Sequence, residues 1–235
     1  MSNPKVLIAC EESQRVCTAF RERGIEAYSC DIQECSGGHP EWHIMGDCLP
    51  LLNGRCEFYT MDGVRHYIGR RWDLIIAHPP CTFLTVTGNR WFDVEKYGDK
   101  ARQRVIDREE AARFFMAFVN ADCPRIVIEN PIGYMSSAYR KPDQIIHPYY
   151  FAESENDENC ERKSTCLWLI GVPPLKYEVK FSPRVIEYKN GKGTDSPWHV
   201  NTLGLPAEER ARLRSVTYTG IAKAMADQWG GVLLT

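Results

Sequence analysis

No stretch of this chain approaches the roughly 20 consecutive apolar residues that a membrane-spanning helix requires. The opening MSNPKVLIACEES lacks the basic start and longer apolar core of a secretion signal, so the sequence reads as a cytoplasmic protein. Strong charge of either sign is absent too. With 29 Lys and Arg against 31 Asp and Glu the net charge is −2, which excludes a histone-like polycation and leaves any nucleic-acid contact to a local basic face. Ten cysteines contain no CxxC pair, and in a reducing compartment they are expected to be free thiols. Cys30, Cys35, His39 and His43 lie close together in CDIQECSGGHPEWH, but their spacing fits no zinc pattern, so ordinary thiols and loop histidines are the expectation. Internal repeats and low-complexity tracts are missing.

What is present is 43% hydrophobic and 26% charged residues in a chain of 235, enough for one large packed domain. KVLIAC (5–10) reads as a buried parallel strand, and Ser13 as the cap of a helix over QRVCTAFRERG stopped by Gly24. EAYSCD (26–31) and WHIMGD (42–47) are two further strands, each ending in an acid. CEFYTMDGVRHYIGRR (56–71) reads as a hairpin about Met61-Asp62-Gly63. WDLIIAH (72–78) and RIVIEN (125–130) are core strands, separated by a helix over 101–120 with Ala111, Ala112, Phe114, Phe115 and Phe118 on its buried face. RKPDQIIHPYYF (140–151) reads as an extended crossing segment, and 152–163 as an acidic, solvated loop. TCLWLIGVPPL (165–175) is one more strand; 176–200 has no period; helices are expected over 206–214 and 219–229. Strands alternating with helices predict an α/β fold around a mostly parallel sheet, whose ligands sit beyond the carboxyl ends of the strands.

The polar residues at those ends are Glu11, Glu12, Asp31, Asp47, Cys81, Glu129 and Asn130. Asp31 suits the hydroxyls of a ribose, although a solvated acid at a strand end reads the same way. The first turn, ACEESQ, has no glycine fingerprint, and its two acids would repel a pyrophosphate while tolerating a cationic ligand such as S-adenosylmethionine. In HPPCT (78–82), Pro79 and Pro80 end the strand and hold Cys81 on a stiff loop, as an accessible thiol nucleophile or as an ordinary thiol. Glu129, at the neighbouring strand end, suits a proton donor to a heterocycle.

The phrases IACEESQ, SCDI, CSGGHPEWHI, WDLIIAHPPCT, IENPIG, RKPDQIIHP and TCLWLIGVPPL carry a resemblance over nearly the whole chain. The sequence resembles the DNA cytosine-5 methyltransferases, most closely the small ones of phages and prophages. That resemblance implies a Rossmann-like S-adenosylmethionine-dependent methyltransferase sheet forming a single domain over 1–235, with 135–205 as a reduced target-recognition-like insertion. It implies that Cys81 adds to carbon 6 of a cytosine, that Glu129 holds and protonates the ring nitrogen, and that Asn130 completes the catalytic set. It places S-adenosylmethionine against Ala9, Cys10, Glu11, Glu12 and Ser13, against Asp31 and Ile32, Asp47 and Cys48, His78 and Pro79, and against Thr219, Gly220 and Ile221 of the last helix. Pro80, Thr82, Arg162 and Lys163 would meet the substrate, the last two loosely echoing the family's arginine-bearing motif. A base in a duplex would have to flip out, at a cost of a few kcal/mol.

Two departures bear on the substrate. CEES replaces the usual glycine-rich loop, and the span 135–205 leaves little room for a recognition domain, with Arg184, Lys189 and Lys192 the cations available for phosphates. Low sequence specificity, a single-stranded substrate or a partner subunit for target recognition would each accommodate this. Two other functions stay open: a non-catalytic module binding S-adenosylmethionine or nucleic acid, and a methyltransferase of RNA or a free nucleotide.

Overall fold

The computed structural model describes residues 3–188, 191 and 193–234. Its strands are β1 (Lys5–Ala9), β2 (Glu26–Asp31), β3 (His43–Met45), β4 (Cys56–Tyr59), β5 (Arg65–Ile68), β6 (Leu74–Ala77), β7 (Ile126–Pro131), β8 (Gln144–Ile146), β9 (Thr165–Ile170), β10 (Ile186–Glu187) and β11 (Thr194–Asp195). The helices are α1 (Arg15–Arg21), α2 (Val94–Tyr97), α3 (Asp99–Val119), α4 (Met135–Ala138), α5 (Pro197–Asn201), α6 (Ala207–Ser215) and α7 (Thr219–Leu234). Seven strands form one sheet in the order β3-β2-β1-β6-β7-β9-β8. The first five run parallel, and β9 lies antiparallel to both β7 and β8. This is a Rossmann-like α/β fold. Strand order reverses between β1 and β6, the kind of point beside which open α/β sheets bind their ligands.

Uninterrupted apolar runs form the central strands because both faces are covered. Leu7, Ala9, Ile75, Ala77, Ile126 and Ile128 pack with Phe115 and Phe118 of α3 on one side. Val6, Ile8, Leu74, Ile76 and Val127 pack on the other side with Val16 and Phe20 of α1 and Met225 and Trp229 of α7. Three buried tryptophans each find an acceptor for the indole N–H: Trp72 on Leu51 O at 2.6 Å, Trp168 on Arg140 O and Trp229 on Pro173 O, both at 2.8 Å.

Several expectations need correction. Ser13 does not cap α1. Gln14 takes that place in the left-handed region (φ 57°) without a side-chain cap bond, and the Glu11 carboxylate accepts the N–H groups of Val16 at 2.6 Å and Cys17 at 3.1 Å instead. Residues 140–151 do not simply cross the sheet: they supply the edge strand β8 and a 3-10 turn at Pro148–Phe151. Of the span 135–205, Gln144–Ile146 and Thr165–Ile170 belong to the central sheet. On α3, Phe115 and Phe118 are buried, whereas Ala111, Ala112 and Phe114 are only partly covered. The stretch 152–163 is not merely solvated: Asn159, Cys160 and Glu161 are buried. Lys189 and Lys192 lie outside the described residues. No helix among the described residues is long and apolar enough to cross a membrane.

Candidate functional site

The loop after β6 is built by its neighbours on both sides. His78 N–H donates to Ala9 O at 2.9 Å, tying it to β1, and Asn130 Nδ2 donates to Pro79 O at 2.8 Å, tying it to β7. Pro79 is buried, while Pro80, Cys81 and Thr82 are exposed. Cys81 O then accepts from Leu84 N at 2.9 Å and Thr85 N at 3.0 Å, and Tyr134 N donates to Leu84 O at 2.7 Å. Gly133 is required by this packing, because a Cβ there would stand 1.9 Å from Leu84 O. From α3, Arg104 donates to Thr82 O and Arg108 to Phe83 O, each at 3.0 Å. No sequence signal marked these two arginines, since an i, i+4 pair on a polar helix face reads as solvated.

Cys81 and Glu129 therefore come together from adjacent strand ends. His78 Nδ1 lies 3.3 Å from Glu129 Oε2, with the two side chains only 7% and 19% exposed. Burial works to raise the Glu129 carboxyl, but the His78 hydrogen bond and the charges of His78 and Lys163 outweigh it and hold the group below its ordinary range. Crowding by protein around the sulfur raises the Cys81 thiol, the Glu129 charge adds to this, and Lys163 opposes it. Arg162 and Lys163 part company. Arg162 donates to Thr194 O at 3.2 Å, whereas the Lys163 ammonium donates to Arg214 O at 2.8 Å and lies 5.8 Å from the ring centres of both Trp198 and Tyr218. A cavity of about 10 Å³, room for a single water, separates Glu129 and Lys163 from Tyr218 and Ile221.

Across the switch point, Cys10 adopts φ 60°, a left-handed backbone that glycine would take without strain, and its N–H donates to Cys30 O at 2.7 Å. A hydrogen bond with Cys48, followed by burial, raises the Cys10 thiol well above its ordinary range. Glu11 and Glu12 are buried. Burial pushes the Glu11 carboxyl up to about 7, although His78 and the Val16 and Cys17 amides pull the other way. Among the described residues, the buried Glu12 Oε1 and His78 Nε2 of this region have no hydrogen-bond partner. Asp31 accepts from Gln33 N at 3.0 Å and Asp47 from Leu49 N at 2.9 Å, which leaves each carboxylate a second oxygen. Ile32, directly after Asp31, is 78% exposed.

Not every residue expected at this site converges on it. Thr219 Oγ1 donates to Glu158 at 2.6 Å and Gly220 N–H to Asn159 Oδ1 at 2.8 Å, so the start of α7 is bound to the acidic stretch. Ser13 and Thr219 line a separate groove of about 600 Å³ between α1, α6 and α7, which includes none of Asp31, Cys81 and Glu129. Arg184 pairs with Glu161 at 3.1 Å. The cysteine–histidine cluster disperses: His43 sits between Ser29 Oγ (2.8 Å) and Gln33 O (2.9 Å), and His39 stacks on Trp42. Among the described residues no group of three or more His, Cys, Asp or Glu is arranged to hold a metal.

No family model and no curated protein matches this chain. Among solved structures, it is similar to the crystal structure of an rRNA methylase from Escherichia coli, at 14% identity and a TM-score of 0.31. The match covers 72% of this chain and 57% of that one, so the chain spans little more than half the length of the protein it matches.

Proposed function

We propose that this protein transfers a methyl group from S-adenosylmethionine to carbon 5 of cytosine in DNA, through a covalent adduct on Cys81. The observation that carries the reading is the meeting of an exposed thiol and a largely covered carboxyl near the adjacent ends of β6 and β7, beside the point where the strand order reverses. The residues that would hold the cofactor fit it chemically. Asp31 and Asp47 each keep an oxygen for ribose hydroxyls or an adenine amine, Ile32 offers an exposed apolar face for a flat ring, and the unpartnered Glu12 Oε1 accepts a hydrogen bond from an ammonium group. When bound, S-adenosylmethionine supplies an electrophilic methyl group.

In the reaction, the Cys81 sulfur bonds to carbon 6 while the displaced electron pair is drawn toward the ring nitrogen, where Glu129 delivers a proton. Carbon 5 becomes nucleophilic in consequence. After carbon 5 has taken the methyl group, its hydrogen leaves as a proton to solvent, the proton on the ring nitrogen returns to Glu129, and the sulfur departs as a thiolate, which restores the aromatic ring. Lys163 favours the thiolate, and Asn130 keeps the Pro79-Pro80 loop against β7 so that Cys81 and Glu129 stay in register.

The test is a covalent trap. Protein and S-adenosylmethionine are mixed with DNA containing 5-fluorocytosine, single- and double-stranded, and resolved on a denaturing gel. A shifted band that Cys81→Ala abolishes supports the nucleophile, the base and the reaction class together. Absence of any band with DNA, beside a band with RNA, would move the substrate to RNA; absence from both would sink cytosine-5 chemistry by this chain.

A further inference from the structure

We infer that His78 is a positioning residue of the same site, which holds the proton that Glu129 gives to the pyrimidine and takes it back at the end of each turnover; the chemistry, though not the pairing, rests on the cytosine reading above. His78 occupies the last position before the two prolines, and its main chain is pinned by the bond to Ala9 O. Its ring is nearly enclosed, with Nδ1 3.3 Å from Glu129 Oε2 and Nε2 buried without a partner. Among the described residues, Glu129 is thus the side chain that the ring meets. The groups that face this pair are Glu11 beyond β1, the carboxyl of which His78 pulls down, Lys163 before β9, Cys166 on β9, Tyr218 before α7, and Cys81 on the pair's own loop.

The arrangement links two needs of the reaction. While the shared proton rests on His78, Glu129 is an anion that raises the Cys81 thiol, and Cys81, exposed on its loop, gives its proton to solvent and attacks as the thiolate. As the sulfur bonds to carbon 6, the electron pair displaced from the ring reaches its nitrogen, which takes a proton from Glu129. Glu129 in turn takes the Nδ1 proton of His78. One proton has moved from imidazole to pyrimidine, the thiolate charge is consumed in the new C–S bond, and the carboxylate ends as it began. When the sulfur departs, the same proton returns along the same path. A fixed hydrogen-bond donor at this position would orient Glu129 but would have no proton to give.

His78→Asn makes that distinction, since its Nδ2 still donates to Glu129 but does not titrate. Protein labelled with ¹³C at the glutamate carboxyls is titrated by NMR, with the Glu129 resonance assigned by its loss in Glu129→Gln. The expected result is a Glu129 carboxyl with at least about tenfold higher proton affinity in His78→Asn than in the parent, because burial is then opposed by Lys163 and a neutral amide alone. An unchanged titration overturns the pairing. His78→Gln provides a second folded variant should His78→Asn fail. The adduct with 5-fluorocytosine is then followed against pH: the parent keeps its yield to higher pH, and His78→Asn loses about tenfold there. Matching profiles would overturn the role of His78 even where Glu129 shifts. A parent that forms no adduct with any nucleic acid removes the cytosine reading, and the carboxyl titration still decides the pairing.

Discussion

At the scale of single residues, Glu11 makes a pH-dependent contribution that can be isolated. Its carboxyl is raised from an ordinary 4.5 to about 7, chiefly by burial. Below 4.5 the folded and unfolded chains both carry the proton, and the stabilising difference is fully present. Between 4.5 and 7 the folded protein keeps a proton that the unfolded chain has released, so stability from this group falls as the pH rises, and above about 7 it is lost. Thermal melts of Glu11→Gln against the parent should therefore diverge across that window, with the parent losing on the order of 3 kcal/mol relative to the variant. The variant amide still accepts one of the two N–H groups at the start of α1, so its fixed cost does not vary with pH. Equal pH slopes for the two proteins would contradict the burial of an ionisable group there. Glu11 was legible in the sequence as a strand-end acid; its turning back to cap α1 was not, because that depends on how the left-handed Cys10 directs the chain.

At the scale of elements, the stretch 152–163 acts as a clamp on α7. Asn159 is buried, its Oδ1 accepts the Gly220 N–H at 2.8 Å, and Glu158 accepts from Thr219 in the first turn, where a negative charge complements the helix dipole. Gly220 is needed for the approach, since a Cβ there would lie 2.8 Å from Phe151 O. Asn159→Ala should lower stability by about 1–2 kcal/mol in urea denaturation, the range for loss of a helix cap with a buried donor left behind. A change within a few tenths of a kcal/mol would show that water replaces the side chain. The composition of this stretch reads as solvated loop because its partner lies some 60 residues on in the sequence, beyond the reach of any local pattern.

For the molecule as a whole, stability rests on a sheet buried on both faces. Phe115 meets Trp168 edge-to-face at 5.2 Å and is fully buried with Phe118 between α3 and the sheet. Phe115→Ala should cost about 3–5 kcal/mol in urea unfolding, with an unchanged denaturant slope, as the cavity it leaves is lined by rigid strands. A loss below 1 kcal/mol would mean that α3 collapses into the space.

By itself the sequence determined the alternation of strands and helices, the apolar runs of β1, β6, β7 and β9, the hairpin at Asp62-Gly63, and the polar residues at the ends of the parallel strands. These follow from periodicity, turn chemistry and proline, all of which act within a few residues. Tertiary structure alone decided that β8 joins the sheet beside β9, that Lys163 turns toward Glu129 while Arg162 turns to Thr194, and that His78 bonds to Glu129. It also separated Ser13 and Thr219 from the Cys81 crevice. Each of those outcomes is a contact between distant segments, set by strand order and by the closing of buried hydrogen bonds, and neither quantity is encoded at any one place along the chain.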